Sequence, residues 1–213
     1  MSTLRQVTDG TPLAEHGVAL LVALLMLIAV LLIGASAARM AMQGEKAARA
    51  ERDRQVAFQA AEDALGDAQR DIDGGAAIAP ERAALFAPGD APGFAEGCGS
   101  DPAGFDLGLC ARAAGSAAPI WQLASLDADD EAASGAVPYG RFTGATMETG
   151  QAFLPFRQPR YIIERLPYRH PGDDAAGPPR YYFRITAIGF GARPSTQVVL
   201  QSGYRKADDA GAP

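Results

Sequence analysis

Residues 18–38, VALLVALLMLIAVLLIGASAA, carry no charge, and the pattern changes abruptly at Arg39. About 21 apolar residues in a helix are long enough to cross the roughly 30 Å hydrocarbon core of a bilayer. From Arg39 to Ile72 the chain is charged and alanine-rich, lacks proline and keeps a helical period. One continuous helix of roughly 50 residues is predicted, transmembrane along its first part and amphipathic along its second. Phe58, Ala61, Leu65, Ala68 and Ile72 recur at three- and four-residue spacing and form the expected packing stripe. Gln59, Glu62, Asp63, Asp67, Arg70 and Asp71 fall on the other faces. Gly34, Gly44 and Gly66 weaken such a helix by about 1 kcal/mol each relative to Ala.

The pattern then loses its helical period. Residues 74–118 are punctuated by Gly and Pro every few positions and read as irregular chain. A short element at residues 120–126 surrounds Trp121, the only tryptophan, which is expected in the core. Residues 160–166 (RYIIERL), 180–189 (RYYFRITAIG) and 196–204 (TQVVLQSGY) are rich in β-branched and aromatic residues and predict three strands. In the middle one Tyr181, Phe183, Ile185 and Ala187 alternate with Tyr182, Arg184, Thr186 and Ile188, as in a sheet with one face on a core. The expected fold is α+β, with the long N-terminal helix packed against a small C-terminal antiparallel sheet. The organisation that follows is residues 1–17 as a leader, 18–38 membrane-crossing, 39–73 amphipathic stalk, 74–206 globular head and 207–213 tail.

Composition narrows the function. The net charge is −6, and the cations form no run beyond the scattered Arg49, Arg52 and Arg54, so the electrostatic footprint of a nucleic-acid binder is missing. Asp127 to Glu131 invites a calcium reading, but an EF-hand loop starting there would need Gly and Glu where Ala132 and Pro138 stand, which leaves a solvated acidic loop. With His16 in the leader and His170 in a Pro/Gly loop, no nucleophile–His–acid arrangement is supported, and no phosphate or dinucleotide loop occurs. No catalytic residue, metal site, cofactor or small-molecule substrate is expected, and the chain does not read as an enzyme. Cys98 and Cys110 lie twelve apart. In an oxidising compartment they would form a disulfide contributing about 3 kcal/mol in the chain-entropy model; otherwise they are two buried thiols. Charge bias around the apolar run, with Arg5 before it and Arg39, Lys46, Arg49, Arg52 and Arg54 after it, would taken alone leave the head in the cytoplasm.

The polar leader ending in Glu15-His16-Gly17, directly before the apolar run, resembles that of type IV prepilins. The resemblance implies cleavage between Gly17 and Val18 by a prepilin peptidase, N-methylation of Val18 and retention of the apolar helix as a stalk. Most pilins carry Phe first and Glu fifth in the mature chain, where this sequence has Val18 and Val22, and a basic residue before the glycine, where it has His16. An acid buried in hydrocarbon needs a partner, so its absence fits a subunit with no neighbour above it. The stretch RDRQVAFQAAEDALGDAQRDI at residues 52–72 resembles the stalk of PilX-type minor pilins. YYFRITAIGFGARPSTQVVLQSGY at residues 181–204 resembles their last strands.

That resemblance implies a pilin-like fold and a role in type IV pilus biogenesis, priming assembly and sitting at or near the tip. Its implied partners are other minor pilins, a large adhesin-like tip protein and the inner membrane, with the head in the periplasm. A type II secretion tip pseudopilin, or a signal-anchored periplasmic binding domain, would share the membrane helix.

Overall fold

The computed structural model describes residues 15–87, 93–111, 115, 118–168 and 180–206. The leader up to residue 14, His170 and the tail from residue 207 lie outside the described residues. The chain divides into two compact units, Met1–Ala50 and Glu51–Pro213. One helix, α1 (Glu15–Asp73, 59 residues), contributes to both. It contains no proline, passes through Gly34, Gly44 and Gly66, and stops where Gly74 takes φ +76° and donates its N–H to Arg70 O at 3.2 Å. A left-handed residue after the last turn is the ordinary glycine terminator of a helix.

The second unit adds α2 (Pro80–Ala84), β1 (Ala95–Cys98), β2 (Leu109–Ala111), α3 (Ile120–Leu123), α4 (Glu131–Ser134), β3 (Val137–Pro138), β4 (Arg160–Tyr168), β5 (Arg180–Phe190) and β6 (Gln197–Tyr204). The sheet runs β1-β2-β4-β5-β6, with β3 also pairing β4. β4, β5 and β6 form the expected antiparallel meander, in unbroken register from Arg160↔Ile188 to Tyr168↔Arg180 and from Phe183↔Tyr204 to Phe190↔Gln197. The sequence gives no hint that β2 joins β4 in parallel, at Leu109↔Ile163 and Cys110↔Glu164, or that β1 joins β2 in parallel. Strands of three and four residues between glycines carry too little alternation to be recognised.

The main core forms between α1 and one face of the sheet. Ala64, Ala68 and Ile72 meet Tyr161, Ile163, Phe183, Ile185 and Ala187, with Phe86 and Phe94 closing the end. Phe86 and Phe183 meet edge to face at 5.6 Å between centroids. The expectation of one covered face needs correction. Ile162, Ile188 and Phe190 on the other face are buried with Cys110, Ile120, Leu126 and Ala136. Trp121 only packs against that second cluster, partly buried; Ile120 is the anchor of the element.

The stalk stripe also needs correction. Ala61, Ala68 and Ile72 are fully buried and Leu65 partly so, but Phe58 is exposed. The buried arc is instead centred on Ala57, Ala60, Ala61, Ala64 and Ala68. The cause is the closeness of helix and strand: a Cβ on Gly189 of β5 would lie 2.1 Å from Ala57 O and 2.4 Å from Ala61 N. Only alanines fit at such a crossing, and Phe58, rotated by about 100° from Ala57, is turned away from it.

Gly189→Val should therefore destabilise the second unit by several kcal/mol, since backbone and not a flexible side chain must give way. Phe58→Ala should cost about 1 kcal/mol or less. Urea unfolding of the detergent-solubilised chain distinguishes the two, and comparable losses would contradict the alanine-centred packing.

Candidate assembly helix and its carboxylate clamps

In the first unit, every described side chain of α1 from Gly17 to Ala50 is exposed. Leu20, Leu21, Leu24, Leu25, Leu27, Leu31, Leu32 and Ile33 are among them. No other helix among the described residues is long and apolar enough to cross a membrane. The one hydroxyl in the apolar run, on Ser36, donates to Leu32 O at 2.8 Å and so carries no unmet hydrogen bond. Val18 and Val22 are exposed, and a side chain at Gly17 would meet nothing within 4 Å.

In the second unit the same helix is clamped by three carboxylates, of which Asp67 and Asp71 were expected on its polar faces. Asp53, Asp67 and Asp71 are buried. Asp71 and Arg82 of α2 form an ion pair with both side chains fully buried, Nη2 to Oδ2 at 2.6 Å and Nε to Oδ1 at 3.0 Å. Arg82 Nη1 donates to the carbonyls of Phe105 and Leu107, the latter at 3.0 Å, and its Cζ lies 4.0 Å from the centroid of Phe142. Tyr161 of β4 donates its hydroxyl to Asp71 Oδ2 at 3.0 Å. Burial first, then the negative charge of Asp71, push the Tyr161 phenol well above its ordinary value, so the hydroxyl stays a donor.

Asp67, one turn earlier, accepts from Gly140 N at 2.8 Å, from Thr143 Oγ1, and from Arg70 Nη2 at 3.1 Å. Asp53 clamps the β5–β6 turn. It accepts from Ala192 N at 2.6 Å, Arg193 N at 3.3 Å, Arg193 Nε at 2.9 Å and Thr196 Oγ1. Burial works against its charge, but the bonds from Thr196, Arg193 and the two backbone N–H groups outweigh it, and its carboxyl is held below the ordinary value. At the helix end Tyr204 of β6 donates to Asp73 at 2.6 Å, which raises the phenol to about 12.

Sequence reasoning missed these residues, although signals exist. Arg82 is the sole lysine or arginine between Arg70 and Arg112. Asp53, Asp67 and Asp71 share the alanine arc of the helical wheel rather than its polar side. Cys98 and Cys110 are disulfide-bonded and face each other across β1 and β2. The acidic loop is pinned rather than free: Arg157 donates to Asp127 O at 2.7 Å and to Ala128 O at 3.1 Å.

A long N-terminal helix whose second part packs on an antiparallel-rich sheet defines a pilin-like α+β protein. The family model described as type IV pilus assembly protein PilX C-term matches residues 106–206, and the model described as PilX N-terminal matches residues 16–65. The chain belongs to the PilX family of type IV pilus assembly proteins. Neither a curated protein nor a solved structure matches it. Family and helix together support association with a membrane or a pilus.

Asp71→Asn should lower stability by about 3–5 kcal/mol, because it strands a buried guanidinium. The triple substitution Asp71→Leu, Arg82→Met, Tyr161→Phe, which removes charge and hydroxyl together, should recover part of that loss. Urea unfolding checks both, and a loss below 1 kcal/mol for Asp71→Asn would contradict the clamp. For Asp53 the lowered carboxyl value fixes the sign. Its contribution is present above about pH 4 and is lost as pH falls through the lower folded value. Asp53→Asn should thus be less stable at neutral pH and lose less on acidification than wild type, as read by thermal unfolding between neutral and acidic pH.

Proposed function

We propose that this protein is a minor pilin that primes type IV pilus assembly and sits at or near the pilus tip. The apolar run of residues 18–38 inserts among the stalks of neighbouring subunits in the membrane, and the second unit supplies partner specificity. The observation that carries this reading is the contrast along α1: its second part is buried and clamped by its own sheet, while its first part is apolar and uncovered. A helix of that character needs lipid or other helices around it. Gly17 and Val18 are the processing junction for the prepilin peptidase, Val18 is the methylated N-terminus, and the second unit lies in the periplasm, where Cys98 and Cys110 become oxidised. Neighbouring minor pilins and a large adhesin-like tip protein are its partners, and the chain has no catalytic task.

Gly17→Glu tests this directly, because position 17 has open space and the substitution leaves the fold intact. The expected outcome is an unprocessed chain that accumulates normally in the membrane, with surface piliation reduced at least severalfold by electron microscopy. Wild-type processing and piliation would overturn the reading. Intact pili with lost protein export in a deletion strain would assign the chain to a secretion filament instead.

A further inference from the structure

The disulfide and the buried ion pair meet in one loop. Cys98 and Cys110 bracket residues 99–109, and the two carbonyls that accept from Arg82 Nη1, those of Phe105 and Leu107, lie inside that bracket. The loop is tightly folded on itself. Gly108 N donates to Gly99 O at 3.0 Å, Gly99 N to Leu109 O at 3.1 Å and Leu109 N to Asp106 O at 3.0 Å. A Cβ on Gly99 would lie 2.2 Å from Asp106 O, which leaves the loop no slack at its closed end. Arg82 itself has nowhere else to turn. It is fully buried, with Asp71 of α1 on one side and these carbonyls on the other. A guanidinium in that position needs all its donors met.

We propose that the Cys98–Cys110 bond is a redox latch on the Arg82–Asp71 clamp. Closing the disulfide fixes the carbonyls of Phe105 and Leu107 against the guanidinium, and through it sets how firmly the end of α1 around Asp71 is held. In the closing step the two thiols lose two protons and two electrons as the S–S bond forms. A disulfide oxidant, either a dithiol oxidase or oxidised glutathione, takes up the electrons and becomes two thiols. In the reduced chain the bracket opens, β1 loses its covalent tie to β2 and Arg82 loses the fixed position of two acceptors. The Asp53 clamp on the β5–β6 turn contains no part of this loop and is independent of the latch. The proposal does not depend on the pilus role, since it concerns coupling within one chain.

The test is site-resolved hydrogen exchange on the detergent-solubilised full chain, oxidised and after reduction with a phosphine. Reduction should accelerate amide exchange in residues 67–73 and 81–84 at least tenfold while leaving residues 53–60 unchanged. Acceleration confined to residues 95–111, or uniform across α1, would overturn the latch. A cycle with Arg82→Met gives a second readout, because chain entropy released by reduction is the same with or without the arginine. The factor by which reduction shifts the unfolding equilibrium should be at least tenfold smaller in Arg82→Met than in wild type, and equal factors would overturn the proposal. Should Arg82→Met not fold, Arg82→Lys, which keeps the charge but cannot reach both carbonyls and the carboxylate as a fork, serves in its place.

Discussion

The close approach of α1 to β5 is the constraint from which the rest of the second unit follows. With Gly189 lying against the backbone of Ala57 and Ala61, the helix face must be built from alanines, and alanines alone bury little apolar area. The carboxylates interspersed in that face supply the hold that large side chains would give elsewhere. Asp53, Asp67 and Asp71 each reach out of the alanine arc to a different segment: the β5–β6 turn, the turn after β3, and α2. Buried charges are tolerable only when fully paired. Asp71 meets this condition with a two-nitrogen arginine contact and a tyrosine hydroxyl, Asp53 with backbone and side-chain donors.

This arrangement divides the labour along one helix. Past Glu51 every exposed position of α1 belongs to a surface whose opposite face is already occupied by its own sheet. From Gly17 to Ala50 every described side chain of the helix is exposed. One part of the helix is committed to its own sheet, and the apolar part agrees with the membrane or pilus association that the family supports. The clamps also specify direction, because each carboxylate meets its own set of donors and a slip of one turn would leave three charges unpaired.

Much of the fold could be read from the chain. The uncharged run, the proline-free stretch and the three β-rich segments gave the long helix and the meander nearly to the residue. The stalk and strand wording gave the family. The packing stripe was misread at Phe58, because periodicity weights large apolar residues and overlooks alanines as a buried face. The clamps were missed for a related reason: an aspartate is ordinarily counted as solvent-facing, so the place of Asp53, Asp67 and Asp71 on the alanine arc went unread until Ala192, Gly140 and Arg82 met them in space. The parallel additions of β1 and β2 depend on the disulfide and on the glycine-rich hook between them, whose pairing no local signal specifies. The second core cluster followed Ile120 and Leu126, which stand in a segment too irregular to reveal a face.

The most direct measurement is the intact mass and N-terminal sequence of the protein extracted from membranes of its host. The expected chain begins at N-methylated Val18 and retains the whole of α1 from that residue onward, two hydrogens lighter than the reduced chain because of the Cys98–Cys110 bond. A chain that still begins at Met1, or one cut beyond residue 38, would contradict a stalk helix shared between membrane and filament.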